Sequence, residues 1–285
     1  DLTNEVYEMA AATVTGHMND AWMKIDDADD PGFFIHFLDA TRAKALEFAR
    51  KNPAAAFAHL DLKTGLKILD CGCGTGDTLT IMAQLTSPGE AVGGELSTIM
   101  LQEAKHRASA AATPNLRFEQ MSVQSIPYAD RYFDRVMATQ LLVHVPEPRQ
   151  AFDEMCRVTA HDGLICLADM DWDTLVLGCS NKDSGRKFTR LFSDGIRNGL
   201  VVREYAGWLR SAGFSNLRII PQPMIFDNWA FVRDWIVNPS VSHFVATGDM
   251  SVQERDDLVN DLAERDAHAS FFAASTFYTI VAQRT

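Results

Sequence analysis

The chain lacks any uninterrupted apolar run of the ~20 residues that a membrane-spanning helix needs, so no spanning segment is expected. Its amino terminus carries acids where a secretory leader would have a basic start and an apolar core. Cysteine is scarce and its count, five, is odd. That argues against a disulfide framework and for a reducing compartment, so a cytoplasmic location is expected. Cys71 and Cys73 form a Cys-x-Cys pair with no second pair nearby, which argues against zinc. Basic residues are in deficit: 26 Lys and Arg against 38 Asp and Glu, a net charge of −12. Nucleic-acid enzymes usually present a basic face to phosphates, and no Lys/Arg cluster with interleaved aromatics is seen. Internal repeats and low-complexity tracts are absent too. The remainder has the composition of an ordinary globular protein, long enough at 285 residues for one large domain or a domain with an added cap.

What is present is concentrated in residues 66–77, Leu-Lys-Ile-Leu-Asp-Cys-Gly-Cys-Gly-Thr-Gly-Asp. An apolar run ends at Asp70, glycines follow at 72, 74 and 76, and Thr78 to Leu85 reads as a helix. Strand, glycine-rich turn and helix open a doubly wound α/β sheet. Glycines there let a cofactor lie against bare backbone. The spacing is G-x-G-x-G, with Asp77 where a dinucleotide-binding turn would have its third glycine. An acid at that helix start repels a pyrophosphate and suits a cationic ligand. No Gly-Lys-Ser/Thr follows, so the Walker pattern fails as well.

In these residues the chain resembles the class I S-adenosylmethionine-dependent methyltransferases, in particular the small-molecule enzymes with a UbiE-like motif set. Later segments extend the resemblance in order. Ala91 to Ser97 reads as a second strand ending in Glu95, roughly 20 residues past the turn, where a carboxylate accepts hydrogen bonds from ribose hydroxyls. Leu116 to Met121 reads as a third strand, Tyr132 to Ala138 as a fourth and Leu164 to Met170 as a fifth, with His161-Asp162-Gly163 as a turn. The resemblance implies a doubly wound, seven-stranded, mostly parallel Rossmann-like sheet. It has amino-terminal helices and a helical lid inserted before an antiparallel last strand. It also implies S-adenosylmethionine as cofactor, held by Asp70, Gly72, Cys73, Gly74, Thr75, Gly76, Glu95, Leu96, Ser122, Val123 and Gln140. Ser122 departs from the family, which often has an Asp there on the adenine amine. After the fourth strand, Ala138-Thr139-Gln140-Leu141 lacks the Asn/Asp-Pro-Pro-aromatic signature of enzymes methylating adenine or glutamine, which favours a small-molecule acceptor.

The flanks divide the chain into a helical cap over residues 1–60, a cofactor-binding core over 61–226 and 271–285, and a helical lid over 227–270. Asn4 to Trp22 and Phe33 to Lys51 have helical spacing, and Pro53 opens a short helix. Arg42, in the long helix, reaches the methionine carboxylate in similar bacterial enzymes, and a solvated pair with Asp39 is the equal alternative. Residues 171–175 read as a loop at the carboxyl end of the fifth strand, which makes Asp171 and Trp172 candidate acceptor contacts, with Asp169 beside them. A capping Asp and a core Trp explain them equally well. Residues 184–212 read as one or two helices, and Arg197 and Asn198 lean to a structural role. Phe214 to Phe226 reads as a strand broken by Pro221 and Pro223, and Phe271 to Ala282 as the last strand. The i, i+4 aromatics Phe231 and Trp235 fit a lid or a homo-oligomer contact, or a helix core.

The cofactor's methyl is already electrophilic, so catalysis is mainly alignment of an acceptor for in-line SN2 attack. A general base is needed only where the acceptor loses a proton. His144, after the fourth strand, is the first choice, ahead of His36 and His17. A backbone-paired structural histidine is the competing reading. No metal is called for: Asp169, Asp171 and Asp173 alternate but lack the further ligands of a Mg²⁺ site. The expected activity is therefore methyl transfer to a small, apolar or aromatic acceptor such as a quinone, polyketide, terpenoid or indole, with no nucleic acid or membrane partner. Two other classes stay open: non-methylating chemistry such as cyclisation on the same fold, and a non-catalytic interaction subunit.

Overall fold

The seven strands lie in the order β3-β2-β1-β4-β5-β7-β6 in a computed structural model, which describes residues 20–285 apart from 110 and 112. The strands are β1 (Lys67–Cys71), β2 (Glu90–Glu95), β3 (Leu116–Gln120), β4 (Phe133–Thr139), β5 (Thr159–Leu177), β6 (Phe214–Phe226) and β7 (Ala273–Arg284). β1 pairs in parallel with β2 on one side and β4 on the other, so the winding reverses at β1. Ligands of doubly wound sheets bind at that reversal, beyond the strands' carboxyl ends. β2–β3 and β4–β5 are parallel as well. β7 runs against its neighbours: Gly178 bonds Phe272 while Thr174 bonds Thr276, and Asn216 bonds Gln283 while Gly213 bonds Thr285. The expected sheet is thus present.

Helices cover the sheet. They are α1 (Gly32–Lys51), α2 (Asp77–Thr86), α3 (Thr98–Ser109), α4 (Pro148–Val158), α5 (Lys182–Gly195), α6 (Tyr205–Ser211), α7 (Asn238–Thr247) and α8 (Val252–Ala267). α1 buries Phe34, Leu38, Leu46 and Ala49 along one stripe, ends in Arg50 and Lys51, and stops before Pro53. α7 and α8, with a short turn at Trp229–Val232, form the helical insertion before β7. α8 starts in a reciprocal capping box between Ser251 and Glu254. Expectations for the segment before Asp20, including His17, fall outside the described residues.

The chain forms two compact units. One takes Met170–Leu200 and Pro221–Tyr278; the other takes Ala21–Asp169, Val201–Ile220 and Thr279–Thr285. β5, β6 and β7 pass from one into the other. The core of the second unit joins Ile68 and Met137 of the sheet to Leu79 and Met82 of α2 and to Leu60, all buried.

Two readings of the fifth strand need correction. β5 begins at Thr159, so His161-Asp162-Gly163 is inside it and not a turn before it. Asp162 takes φ 58°, and the β4 register shifts between Phe133 and Arg135, so a bulge absorbs the turn-forming residues. β5 also continues to Leu177, so residues 171–175 are strand and not loop. Their ladder is kept by β7: Thr174 Oγ1 accepts from the Thr276 amide at 2.8 Å, and Ser275 Oγ donates to the Asp171 carbonyl at 3.2 Å. β6 is unbroken despite Pro221 and Pro223, because it is the sheet's last strand and an edge tolerates missing donors.

Candidate active site

The turn between β1 and α2 is built by three glycines in the left-handed region: Gly72 at φ 68°, Gly74 at 54° and Gly76 at 71°. The amides of Gly72 and Cys73 donate to the Gly94 carbonyl of β2, and Gly76 donates to Cys73, which fixes the turn. Neighbours fill the space that side chains would take. A Cβ on Gly72 would stand 2.7 Å from Leu141, and one on Gly74 would stand 3.2 Å from Leu38 and 3.8 Å from Arg42 Nη1. The turn after β4 and helix α1 therefore both close on the glycine turn. Cys73 and Thr75 point into the protein and are buried; burial pushes the Cys73 thiol up, away from metal-binding thiolate character.

Glu95 ends β2 beside this turn. Its Oε2 accepts the Gly74 amide at 3.0 Å, and its Oε1 accepts the Leu96 and Ser97 amides at 2.8 and 3.0 Å. Leu96 is left 43% exposed, a large apolar side chain next to a polar anchor. Asp70 is buried, and desolvation drives its carboxyl up to about 7, against the pull of Arg42 and with the push of Glu95. Arg42 is half-buried; desolvation lowers its pKa while Asp70, Asp77 and Glu95 support its charge. Asp39 turns away from Arg42 to a two-point pair with Arg107, at 2.7 and 3.0 Å.

Ser122 Oγ accepts the Gln124 amide at 3.2 Å, closing a small turn that also carries Val123. Gln140 leaves β4 in the left-handed region at φ 51°, its amide donating to the Ala168 carbonyl of β5 at 2.7 Å. His144 follows, with its amide on the Leu141 carbonyl. Its imidazole stacks on Trp22 at 5.5 Å and 26°. Among the described residues its buried Nδ1 has no hydrogen-bond partner, and burial lowers its pKa to about 4. Nδ1 therefore makes no backbone pair among the described residues.

A cradle with no room for side chains, an acid placed for a diol and a buried carboxyl fit a nucleoside ligand carrying positive charge. The family model described as a methyltransferase domain matches residues 62–195. An uncharacterized 37.1 kDa protein in transposon Tn4556 of Streptomyces fradiae is 30% identical over 255 residues, 88% of this chain and 71% of that one.

The chain belongs to the class I S-adenosylmethionine-dependent methyltransferases.

S-adenosylmethionine is accordingly its cofactor. A demethylmenaquinone methyltransferase of Shouchella clausii is 34% identical over 111 residues, which span 38% of this chain and 47% of that one. In fold, the methyltransferase is similar to the YcgJ protein of Bacillus subtilis, with a TM-score of 0.57 at 16% identity, covering 81% of this chain and 96% of that one.

Several polar pairings around the glycine turn and the neighbouring strand ends have no short-range signal. Asp77 does not present free charge to a cationic ligand: it pairs with Arg50 and Arg107, both at 2.9 Å, and accepts from Thr75 Oγ1 at 3.1 Å. Asp26 reaches the start of α3, accepting from Ser97 Oγ, from the Thr98 amide at 2.8 Å and from the Ile99 amide at 3.3 Å, which holds its pKa at about 2. Asp169 is buried and accepts from the Tyr205 hydroxyl; its other oxygen has no partner among the described residues, and desolvation drives it up to about 7. These pairs span 71, 36 or 30 residues of sequence, and nothing local marks their partners.

In the unit containing Met170–Leu200, Asp171 is buried, and its carbonyl accepts the Thr174 hydroxyl at 2.6 Å. Trp172 is half-buried, its amide donating to the Gly199 carbonyl at 3.1 Å and its ring edge-on to Phe192 at 5.3 Å. Arg197 and Asn198 lie in the turn after α5. Among the described residues no helix is long and apolar enough to cross a membrane.

Proposed function

We propose that this methyltransferase transfers the methyl group of S-adenosylmethionine to an oxygen, nitrogen or carbon of a small, apolar or aromatic acceptor, with His144 as general base where the acceptor loses a proton. The observation that carries the proposal is the packing of Leu141 into the space left by Gly72, because it sets the turn bearing His144 against the glycine turn. When bound, the cofactor supplies a methyl already activated on a sulfonium.

The chain's own residues do the rest. Gly72, Gly74 and Gly76, with Cys73 and Thr75 between them, form the bare floor. Glu95, oriented by three amides, would hold the ribose hydroxyls, with Leu96 beside it for the base. Ser122, Val123 and Gln140 would hold the adenine. Asp70 would hold the cofactor's ammonium and Arg42 its carboxylate; the fields that the two exert on each other support this. Nδ1 of His144, without a hydrogen-bond partner among the described residues, would take the proton that the acceptor loses. Trp22, stacked on the His144 ring and edge-on to Phe34 and Phe37 at 5.0 and 5.4 Å, brings aromatic surface to the imidazole and supports an apolar acceptor. A demethylmenaquinone methyltransferase among the relatives points the same way. Asp171 and Trp172 are proposed as further acceptor contacts from their place on β5 shortly after Asp169. The acidic balance supports an acceptor other than nucleic acid.

The test is turnover of quinone, phenolic polyketide, terpenoid and indole acceptors with methyl-labelled cofactor, read by product mass. A gain of one methylene unit supports the proposal. Cofactor binding with no acceptor turned over sinks the acceptor class, and a product of unchanged mass favours the cyclisation-type reading.

A further inference from the structure

One short segment touches two parts of the site. Residues 20–27 form two turns of narrow helix, Asp20–Met23 and Ile25–Asp27. Trp22 lies face to face with the His144 ring, centroids 5.5 Å apart, and meets Phe34 and Phe37 edge-on. Ile25 is buried with Phe34, Leu38 and Met100. Asp26 is exposed, yet its two oxygens take both hydroxyls of Ser97 and Thr98 and the amides of Thr98 and Ile99. Ser97 in turn donates its amide to Glu95 Oε1 at 3.0 Å. One end of the segment therefore covers the imidazole, and the other is tied to the loop that orients the ribose acid.

We propose that Trp22 is the positioning residue of His144, excluding water from the imidazole, and that Asp26 holds it there through the loop after Glu95. This rests on the reading of His144 as base. Burial is the cause of the imidazole's lowered pKa, so what covers the ring sets its basicity. Trp22 covers one face. Asp26 supplies no contact to His144; it fixes where the segment sits. Loss of the Asp26 bonds would leave the Trp22 stack held by side-chain packing alone.

The experiment is an NMR titration of imidazole-labelled protein without acceptor, comparing the wild type with Trp22→Ala, Trp22→Phe and Asp26→Asn. His144→Ala assigns the resonance. The expected wild-type midpoint lies near pH 4. Trp22→Ala moves it about 1–2 pH units towards the ordinary histidine value of about 6.5. Trp22→Phe moves it less, because a smaller ring still covers the imidazole. Asp26→Asn moves it in the same direction as Trp22→Ala, although residue 26 does not touch the ring. An unchanged midpoint in Trp22→Ala, or in Trp22→Phe and Asp26→Asn if the alanine variant does not fold, overturns the proposal. Methyl transfer by His144→Ala is read separately: full activity there defeats the assignment of the base, whereas the titration still decides whether Trp22 controls the ring.

Discussion

Glu95 and Gly74 are joined by a 3.0 Å hydrogen bond in which the glycine amide donates to the carboxylate. The acid that ends β2 and the middle glycine of the turn after β1 are thereby a single unit, even though 21 residues separate them. The glycine turn cannot shift without moving the acid. The acid cannot be removed without leaving amides of Gly74, Leu96 and Ser97 short of an acceptor.

Glu95→Ala should therefore weaken S-adenosylmethionine binding on two counts, the lost diol contacts and the loosened turn. Hydrogen bonds to a charged group are worth about 1.5–3 kcal/mol, which corresponds to roughly 10- to 100-fold in affinity. Calorimetric titration with the cofactor reads this directly. Wild-type affinity in the variant would remove Glu95 from the cofactor site.

His144→Ala should leave cofactor affinity intact and slow transfer to an acceptor that must lose a proton by about 10²–10⁴-fold. The pH profile has a definite sign. A histidine with its pKa lowered to about 4 is already the free base through the neutral range. Activity should then be level, as far as this group matters, from about pH 5 upward, and fall only as pH drops through about 4. An acid limb centred near the ordinary value of about 6.5 would mean that the burial seen here is relieved during turnover.

Much of this was legible in the chain. The period of apolar residues and the glycine spacing place β1 to β4 and the glycine turn, because those features are local; the doubly wound arrangement of the strands is what the family resemblance implies. β5 was misread for a physical reason. Asp162 and Gly163 are turn formers in isolation, but the parallel β4 ladder holds them as a bulge, and β7 supplies hydrogen bonds that carry the strand on past Met170. From its place at the helix start Asp77 suits a cationic ligand, yet Arg50 and Arg107 arrive from α1 and α3 to neutralise it. The sequence position of a charge does not name its partner. Trp22, Asp26 and Tyr205 went unnoticed for the same reason.

Asp169 and Tyr205 make a buried pair with one carboxyl oxygen unpartnered among the described residues. Tyr205→Phe removes the hydroxyl that donates to that carboxyl, and leaving such a buried group unsatisfied costs about 1–3 kcal/mol in stability. The pH dependence follows from a pKa of about 7 in the folded protein against about 3.9 unfolded. Between these values the folded state holds a proton that the unfolded state has lost, so stability should decline as pH rises from about 4 to about 7 and then level off. Asp70, raised to about 7 as well, acts in the same sense. Asp169→Asn keeps the acceptor for Tyr205 and cannot ionise, so its decline should be shallower. Urea unfolding between pH 4 and 8 compares the slopes; equal slopes would mean that Asp169 titrates normally.

Gly76→Ala combines two costs that a second variant separates. Gly76 has φ 71°, and a methyl there would stand 2.5 Å from the Phe118 ring and 3.1 Å from Ala104. The left-handed backbone costs an alanine roughly 1–2 kcal/mol, and overpacking a filled core adds about 1–3 kcal/mol. Gly65 has φ 90° with nothing within 4 Å of its would-be methyl, so Gly65→Ala bears the backbone cost alone. Denaturant unfolding should show Gly76→Ala less stable than Gly65→Ala by the packing contribution. Only Gly76→Ala should also lose affinity for S-adenosylmethionine, because the clash with Phe118 falls on the glycine turn itself. If both variants lose the same stability and both bind the cofactor normally, Phe118 gives way freely and the turn is less constrained than its packing indicates.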